Sequence, residues 1–331
     1  MQWMEHFKEL AMNDDASKIE HPLKHPELLQ IHTLENEGLL QFCSSIIRRG
    51  LPGALIYGYS RSGKSTSTKI ITPFLKDADN QSIPYEIIYI ASRDRKTSRG
   101  AWRQLAFNYD FPLKSRATSD EISQHYITYL LDRCYESQSK RLVLMVDEAQ
   151  RLSIRQFSIY AEIYDRLKDS FGTLCHIFFI ANLDNFKDTY RLLQEREDTH
   201  IYERFFKRAY FYQPITKLES VSHILSEYDR LTFPTTSDVS YSQYFLKKSG
   251  KEYETFKLQK YANLIWQVFF EKFKTPYKLK HWSTESFFCF VNLFITHYLP
   301  QPDVTDISFE LIEHCINHSD LIVDQVKLEE L

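Results

Sequence analysis

The sequence predicts an α/β fold in which a parallel β-sheet lies between helices and is followed by a helical region. Two observations give this prediction. Through the first two-thirds of the chain, apolar runs of strand length alternate with helical patterns, and the runs are apolar on both faces, as in buried parallel sheets. After Pro214 the strand-like runs stop and only helical periodicity continues.

The composition is that of a folded protein of about two domains, with 331 residues of which 43% are hydrophobic. A formal net charge of −3 excludes a protein that is basic throughout, so a nucleic-acid partner would have to meet a local positive patch. Five scattered cysteines without C-x-x-C spacing favour a reducing cytoplasm. The most apolar segment is shorter than the roughly 20 residues of a membrane helix, so we expect no membrane partner.

The elements follow in order along the chain. Residues 1–50 predict an N-terminal helical extension of short helices, because the His21-Pro22 and His25-Pro26 steps interrupt helical backbone. A turn then leads into the α/β core, expected at 51–213. Its strands are predicted at 54–58, 85–92, 141–148 and 173–182, with a shorter fifth at 208–213, and its helices at 64–76, 97–108, 119–137 and 153–170.

The C-terminal third predicts a helical lid over residues 214–318. The polar stretch 233–253 is expected to be a loop or an insertion because of its Thr, Ser and Asp content. Residues 319–331 form an acidic tail, either solvated or docked on a basic partner. The lid helices are predicted at 216–229, 254–272, 283–298 and 307–317.

Residues 58–66 read GYSRSGKST, which matches the phosphate-binding pattern GxxxxGK[ST] between a strand and a helix. Glycines let backbone N–H groups surround phosphate oxygens, and the helix directs its positive end at the same charge. We expect Mg·ATP here, with Lys64 on the β and γ phosphates and the Ser65 hydroxyl on Mg²⁺. The alternative is a glycine turn before an ordinary helix. The predicted nucleotide-binding residues are Gly58, Tyr59, Ser60, Arg61, Ser62, Gly63, Lys64, Ser65 and Thr66.

The run LVLMVDEAQ places two carboxylates, Asp147 and Glu148, at the end of a buried strand. Ligands of open α/β sheets bind at this edge. We expect Asp147 to act on Mg²⁺ and Glu148 to polarise the water that attacks the γ phosphate, unless both are solvated loop acids. Asn182 closes the next strand, where it would orient that water or cap the following helix.

The segment 93–116 is the local positive patch that the overall charge requires, with seven basic residues against two acidic ones. The order of phosphate loop, basic segment, LMVDEAQRL, IFFIANLD and REDTHIYERFFKRAYF resembles the TnsC/TniB family of AAA+ regulators of DNA transposition. The resemblance covers roughly residues 35–215. It implies an AAA+ P-loop NTPase core with a helical lid, in the bacterial cytoplasm, that forms rings or filaments on duplex DNA. It also implies that the oligomer links a target-selection protein to the transposase.

The same resemblance implies roles for single residues. Arg204, in ERF, matches an arginine that completes the nucleotide site of the neighbouring subunit, with Arg208 as the alternative. Both could instead complement a helix C-terminus. The family's pore-lining elements make four residues of the basic segment the expected contacts with DNA phosphates, against the alternative of a solvated helix face. These residues are Lys96, Thr97, Arg99 and Arg103.

One departure from the pattern concerns the lid. No arginine follows Arg230, so the lid lacks the arginine that many AAA+ proteins place on the γ phosphate. Either a lysine such as Lys278 or Lys280 substitutes, or the lid site is absent. Two other functions stay open at this stage. One is a scaffold or signalling ATPase that oligomerises without DNA, and the other is a loader of helicases or clamps.

Overall fold

The computed structural model describes residues 20–25, 29–92, 97–109, 116–195 and 199–322. The chain forms two compact units. One is Glu35–Gln213, and the other comprises the described residues before Glu35 and after Gln213. Helix α1 (Leu34–Arg48) lies almost wholly in the first unit.

The first unit contains a sheet of five parallel strands in the order β2-β3-β4-β1-β5, so the predicted parallel five-stranded sheet is confirmed. The central strands are almost fully buried because helices cover both faces, which explains their continuous apolar runs. The strands are β1 (Gly53–Gly58), β2 (Tyr85–Tyr89), β3 (Arg141–Asp147), β4 (Leu174–Asn182) and β5 (Ala209–Phe211).

Helices of the first unit begin at side-chain caps that the sequence contains. Thr118 and Ser153 each form a capping box with the residue three positions later. The helical segment Tyr202–Phe206 is fixed by Phe205 and Phe206, which are fully buried against Phe179 of β4. The helices are α2 (Lys64–Ile71), α3 (Ser98–Phe107), α4 (Ser119–Glu136), α5 (Ile154–Phe171) and α6 (Leu183–Glu195), followed by the short helical segments Thr199–Ile201 and Tyr202–Phe206.

The second unit is helical, as predicted for the C-terminal region. Trp282 lies at its centre, fully buried and stacked on Phe269 with 4.4 Å between ring centroids. Its helices are α7 (Leu218–Arg230), α8 (Tyr241–Lys248), α9 (Ala262–Val268), α10 (Thr284–Leu293) and α11 (Phe309–Asn317); π-helical turns extend α9 through Phe269–Lys274 and α10 through Phe294–Tyr298.

The prediction of a loop over the whole of 233–253 is wrong, because α8 lies within this stretch. The alternative, an insertion, stays a prediction. Ser240 and Gln243 form a capping box that starts this helix, and Leu246 is buried in the core of the unit. The preceding helix supports it through Asp229, whose Oδ1 accepts hydrogen bonds from the Ser242 hydroxyl and from the backbone N–H of Leu258. The polar residues that suggested a loop are therefore caps and bridges of a short helix.

Candidate nucleotide-binding site

The phosphate loop connects the end of β1 to the start of α2, and both of its motif glycines have a backbone reason. Gly63 has φ +91°, in the left-handed region that favours glycine. A Cβ atom on Gly58 would lie 2.5 Å from the backbone oxygen of Tyr212, which is too close for any side chain. The chain therefore needs glycine at each position, as the sequence motif requires.

Lys64 is folded into this loop. Its side chain is only 9% exposed, and Nζ donates to the backbone oxygens of Gly58 (3.0 Å) and Tyr59 (2.5 Å) and to the Ser62 hydroxyl (3.3 Å). Burial lowers the pKa of the Lys64 ammonium to about 8, while the nearby carboxylates of Asp147 and Glu148 act in the opposite direction.

All three acceptors of the Lys64 ammonium are uncharged oxygens. A buried cation at a helix N-terminus, surrounded by a loop with two glycines, fits the charge and size of a phosphate group. Ser65 is half-buried in the first turn of α2, and Thr66 is exposed. The residues present therefore suit a nucleoside triphosphate and its magnesium ion.

Asp147 and Glu148 lie at the carboxyl end of β3. Asp147 is 6% exposed, and its Oδ1 accepts a hydrogen bond of 2.8 Å from the backbone N–H of Glu148. Glu148 has φ +62°, a conformation that is uncommon and strained for a residue with a side chain. Because both carboxylates act on the pKa of Lys64, the two predicted halves of the site lie together.

Two residues that the sequence reasoning did not assign hold Glu148. Its Oε2 accepts hydrogen bonds from Gln150 (2.9 Å) and Arg151 (2.8 Å), which follow it in a 3₁₀ turn. Arg151 also donates to the backbone oxygen of Ile90 at 3.0 Å and lies over the Tyr89 ring. Arg151 therefore ties Glu148 to the end of β2. Its position inside the DEAQRL motif was the only sequence signal for it.

Asn182 pairs with Gly58 across β4 and β1, so it is next to the phosphate loop. Its Oδ1 accepts hydrogen bonds from the backbone N–H groups of Asp184 (2.9 Å) and Asn185 (3.4 Å), which caps α6. The backbone N–H of Asn182 donates to Gln150 Oε1 at 3.0 Å. Of its two predicted roles the capping contact is present, and the orientation of water stays a prediction.

Arg204 lies away from this site. Its Nη1 is 2.8 Å from both carboxylate oxygens of Asp165 on α5, a helix that starts at Ile154, just after the acidic motif. Asp165 lies about 16 Å from Ile154 along the helix axis, since an α-helix rises ~1.5 Å per residue. Arg208 is half-exposed, and its backbone oxygen accepts a hydrogen bond from Leu55. Among the described residues, no hydrogen bond or ion pair joins either arginine to Lys64 or Glu148.

The basic segment is described in part, and Lys96 lies outside the described residues. Thr97 caps α3 by accepting a hydrogen bond of 3.1 Å from the backbone N–H of Gly100. Arg99 is exposed and donates to the backbone oxygen of Ala117 at 2.9 Å, and Arg103 is half-buried. Thr97 therefore has a structural role, and contact with DNA stays a prediction for all four residues.

Lys278 and Lys280 are exposed in the second unit. Within the described ranges, no group of three or more His, Cys, Asp or Glu side chains is arranged to hold a metal ion. The predicted magnesium site differs from such groups, because it takes only Ser65 and Asp147 from the protein and completes its shell with phosphate oxygens and water. No helix in the described part of the chain is long and apolar enough to cross a membrane.

The sheet order, the phosphate loop and the two carboxylates at the sheet edge define a P-loop NTPase of the AAA+ fold. Residues 49–185 match a family model described as AAA domain. No curated relative matches the sequence.

Three solved structures illustrate the similarity of the fold. The ORC2 protein of Aeropyrum pernix is 12% identical, with 92% of this chain and 72% of that chain covered and a TM-score of 0.47. The Cdc6p protein of Pyrobaculum aerophilum is 14% identical, with 80% and 68% covered and a TM-score of 0.44. The ORC1 protein of Aeropyrum pernix in complex with DNA is 14% identical, with 76% and 63% covered and a TM-score of 0.40. These values are too low for a role to be transferred.

Proposed function

We propose that this protein is an ATPase that assembles on duplex DNA when it binds ATP, and that the assembly links a target-selection protein to a transposase. Hydrolysis of ATP then takes the assembly apart. The observation that carries the proposal is the position of Arg204, which pairs with Asp165 on α5, whereas Lys64, Asp147 and Glu148 lie together at the phosphate loop. The resemblance to TnsC/TniB regulators supplies the link to transposition.

The nucleotide is held by the loop 58–66. Backbone N–H groups bind phosphate oxygens, Lys64 turns from its loop carbonyls to the β and γ phosphates, and Ser65 and Asp147 face the magnesium ion. The metal, when bound, neutralises charge that develops on the phosphates. Glu148 orients the attacking water and accepts its proton, while Gln150 and Arg151 hold its carboxylate through Oε2.

Arg204 completes the site of the neighbouring subunit. A planar guanidinium matches the oxygens of a γ phosphate and stabilises charge in the transition state. A contact of this kind is head-to-tail, so the assembly closes into a ring or continues as a filament according to the rotation between subunits. In either case hydrolysis requires a neighbour, which makes ATP turnover dependent on assembly.

Duplex DNA is the expected template. Arg99 is an exposed cation beside the N-terminus of α3, in the segment with seven basic and two acidic residues. Contacts of lysine and arginine with phosphates give affinity that depends on salt and not on sequence. This suits a protein that marks a site chosen by another component. Arg103 and the residues outside the described ranges, Lys96 among them, complete the same basic segment.

The deciding experiment is electron microscopy of the protein with duplex DNA and a non-hydrolysable ATP analogue, beside samples that lack each component. Rings or filaments that require both are the expected result, and the Lys64→Ala variant should form none. Assemblies that form equally well without DNA would contradict the proposal and favour a scaffold ATPase.

The link to transposition is tested separately. The Glu148→Gln variant, locked on DNA with ATP, serves as bait for a transposase and a target-selection protein from cells that carry the gene, with Lys64→Ala as the control bait. Capture of neither protein by the locked assembly would leave an ATP-dependent DNA-binding ATPase without a transposition role.

A further inference from the structure

The ion pair between Arg204 and Asp165 uses only one nitrogen of the guanidinium group. Nη1 of Arg204 alone lies within 2.8 Å of both carboxylate oxygens, so the pair does not engage Nη2 or Nε of the same guanidinium. The guanidinium carbon is 5.6 Å from the centroid of the Tyr164 ring. One edge of the arginine is therefore held, while the other is available to a ligand.

Both sides of this pair are fixed to rigid structure. Asp165 and Tyr164 lie on α5, and the Tyr164 ring is buried and contacts Phe205. On the other side, Arg204 directly precedes Phe205 and Phe206, which are fully buried. The buried rings set the place of Arg204, and Asp165 sets the direction of its side chain.

Stability is a weak explanation for the pair. The Arg204 side chain is 31% exposed and the Asp165 side chain is 45% exposed. Ion pairs with such access to solvent contribute little to the free energy of folding. Holding a long, flexible arginine in one direction has a larger effect on a reaction rate when that arginine must contact a phosphate. A misplacement of about 1 Å can lower the rate about 100-fold.

We propose that Asp165 is a positioning residue that holds Arg204 so that Nη2 and Nε face the nucleotide phosphates of the neighbouring subunit. The inference rests on the proposed function, in which Arg204 acts on that subunit. Asp165 itself touches no reacting group. It restricts the conformations of the Arg204 side chain before the two subunits meet.

The experiment compares ATP hydrolysis by three full-length variants under the conditions of assembly on DNA. Asp165→Ala removes the positioning carboxylate, and Arg204→Ala removes the arginine. Asp169→Ala is the matched control, since Asp169 is an exposed acid on the same helix and loses the same charge. We expect Asp165→Ala to lower kcat by about 10- to 100-fold with little change in KM for ATP. Arg204→Ala should lower it at least as much, and Asp169→Ala should stay close to the parent.

A mixing experiment separates positioning from a general loss of structure. Glu148→Gln subunits bind ATP without hydrolysing it but carry an intact Arg204 and Asp165. When they are mixed with Asp165→Ala subunits, they supply a correctly held arginine to sites whose Glu148 is intact, so the hydrolysis per Asp165→Ala subunit should rise severalfold. A damaged subunit could not be rescued by its neighbour.

The outcomes separate the two ideas. Parental or faster hydrolysis by Asp165→Ala would overturn the inference, and the faster rate would mean that Asp165 restrains Arg204. Rescue of Arg204→Ala by the Glu148→Gln subunits without rescue of Asp165→Ala would also overturn it. If Arg204→Ala is not rescued, the neighbour does not receive Arg204, and that part of the proposed function fails first.

Discussion

Strands β3 and β4 begin and end in two polar clusters that are built in opposite ways. At their amino ends, Arg141 Nη1 donates to the backbone oxygen of Ile47 at 2.9 Å and lies 3.2 Å from Nε2 of His176. His176 Nδ1 is 2.7 Å from the backbone oxygen of Leu51. Burial lowers the pKa of His176 to about 4, so this cluster contains a neutral imidazole with a partner for each nitrogen.

The carboxyl edge of the same sheet carries charged groups in a different setting. Lys64 is a buried cation on uncharged oxygens, and Glu148 has a strained backbone. The two edges of one sheet therefore differ: the amino edge has a closed hydrogen-bond network, whereas the carboxyl edge has a buried cation whose hydrogen-bond acceptors are all uncharged. Substitutions at the carboxyl edge should therefore change nucleotide chemistry, whereas those at the amino edge should change stability.

The largest expected effect is that of Lys64→Ala. Loss of two charge-assisted hydrogen bonds to phosphate, at about 1.5–3 kcal/mol each, should weaken nucleotide binding more than about 100-fold and abolish assembly. Equilibrium binding of a fluorescent ATP analogue measures it. Lys69→Ala, an exposed lysine on the same helix, is the control and should bind normally. If the Lys64→Ala variant binds the ATP analogue with unchanged affinity, the loop 58–66 is not the phosphate-binding loop.

Glu148→Gln should lower kcat for ATP hydrolysis by about 100-fold or more, because the water loses its proton acceptor. ATP affinity should stay near the parent, and assemblies on DNA should persist. Phosphate release and electron microscopy measure the two results. Glu162→Gln on α5 is the control, since this glutamate is an exposed surface residue. Hydrolysis at the parental rate would show that Glu148 is not the base.

His176 should make stability depend on pH. Its pKa is about 4 in the folded chain and about 6.5 when unfolded, so its contribution is complete above pH 6.5 and is lost as the pH falls toward 4. The loss amounts to roughly 3 kcal/mol. His176→Gln, which pairs without titrating, should flatten the fall in unfolding free energy between pH 7 and pH 4.5. ATP binding at pH 7.5 should be unchanged.

His21 and His281 in the second unit also have a pKa lowered to about 4 by burial, so part of the pH dependence should remain in His176→Gln. Denaturant titrations at both pH values give the measurement. If the variant keeps the whole dependence of the parent, His176 is not the titrating group of the first unit.

The smallest expected effect concerns the basic segment after β2. Lys96→Ala with Arg99→Ala should weaken DNA binding by about 10-fold on unrelated sequences and reduce the salt slope by about 2. Fluorescence anisotropy at several salt concentrations measures it. Lys247→Ala with Lys248→Ala removes the same charge from α8 and should leave the slope unchanged. A loss confined to one sequence would indicate contact with bases.

The sheet and the phosphate loop could be predicted because both follow from local pattern. Strands apolar on both faces, and glycines at fixed distances from Lys64, are visible in the sequence itself. Helix α8 was missed because the Ser240 and Gln243 pair that caps it lies among Thr and Ser residues that suit a loop equally well. Asn182 shows the same limit, since a cap and a water-orienting amide need the same residue at the same place.

The contacts of Arg151 and Arg204 depend on long-range arrangement. Arg151 reaches Ile90 only because β2 is the neighbour of β3 in the sheet, and strand order is not written in any local pattern. Asp165 and Arg204 are 39 residues apart in the chain, and nothing near either residue indicates that they meet. The helix α5 and the buried rings beside Arg204 bring them together.

The distance between Arg204 and the Lys64–Glu148 cluster of its own chain has a consequence for open assemblies. If each subunit borrows its arginine from the next one, the last subunit of a filament has no donor and keeps its ATP, while a closed ring has a donor for every site. A filament would therefore have one terminal subunit that does not hydrolyse ATP. Turnover per subunit would rise with filament length and approach the value of a ring, so the dependence of the rate on assembly length would distinguish short filaments from closed rings.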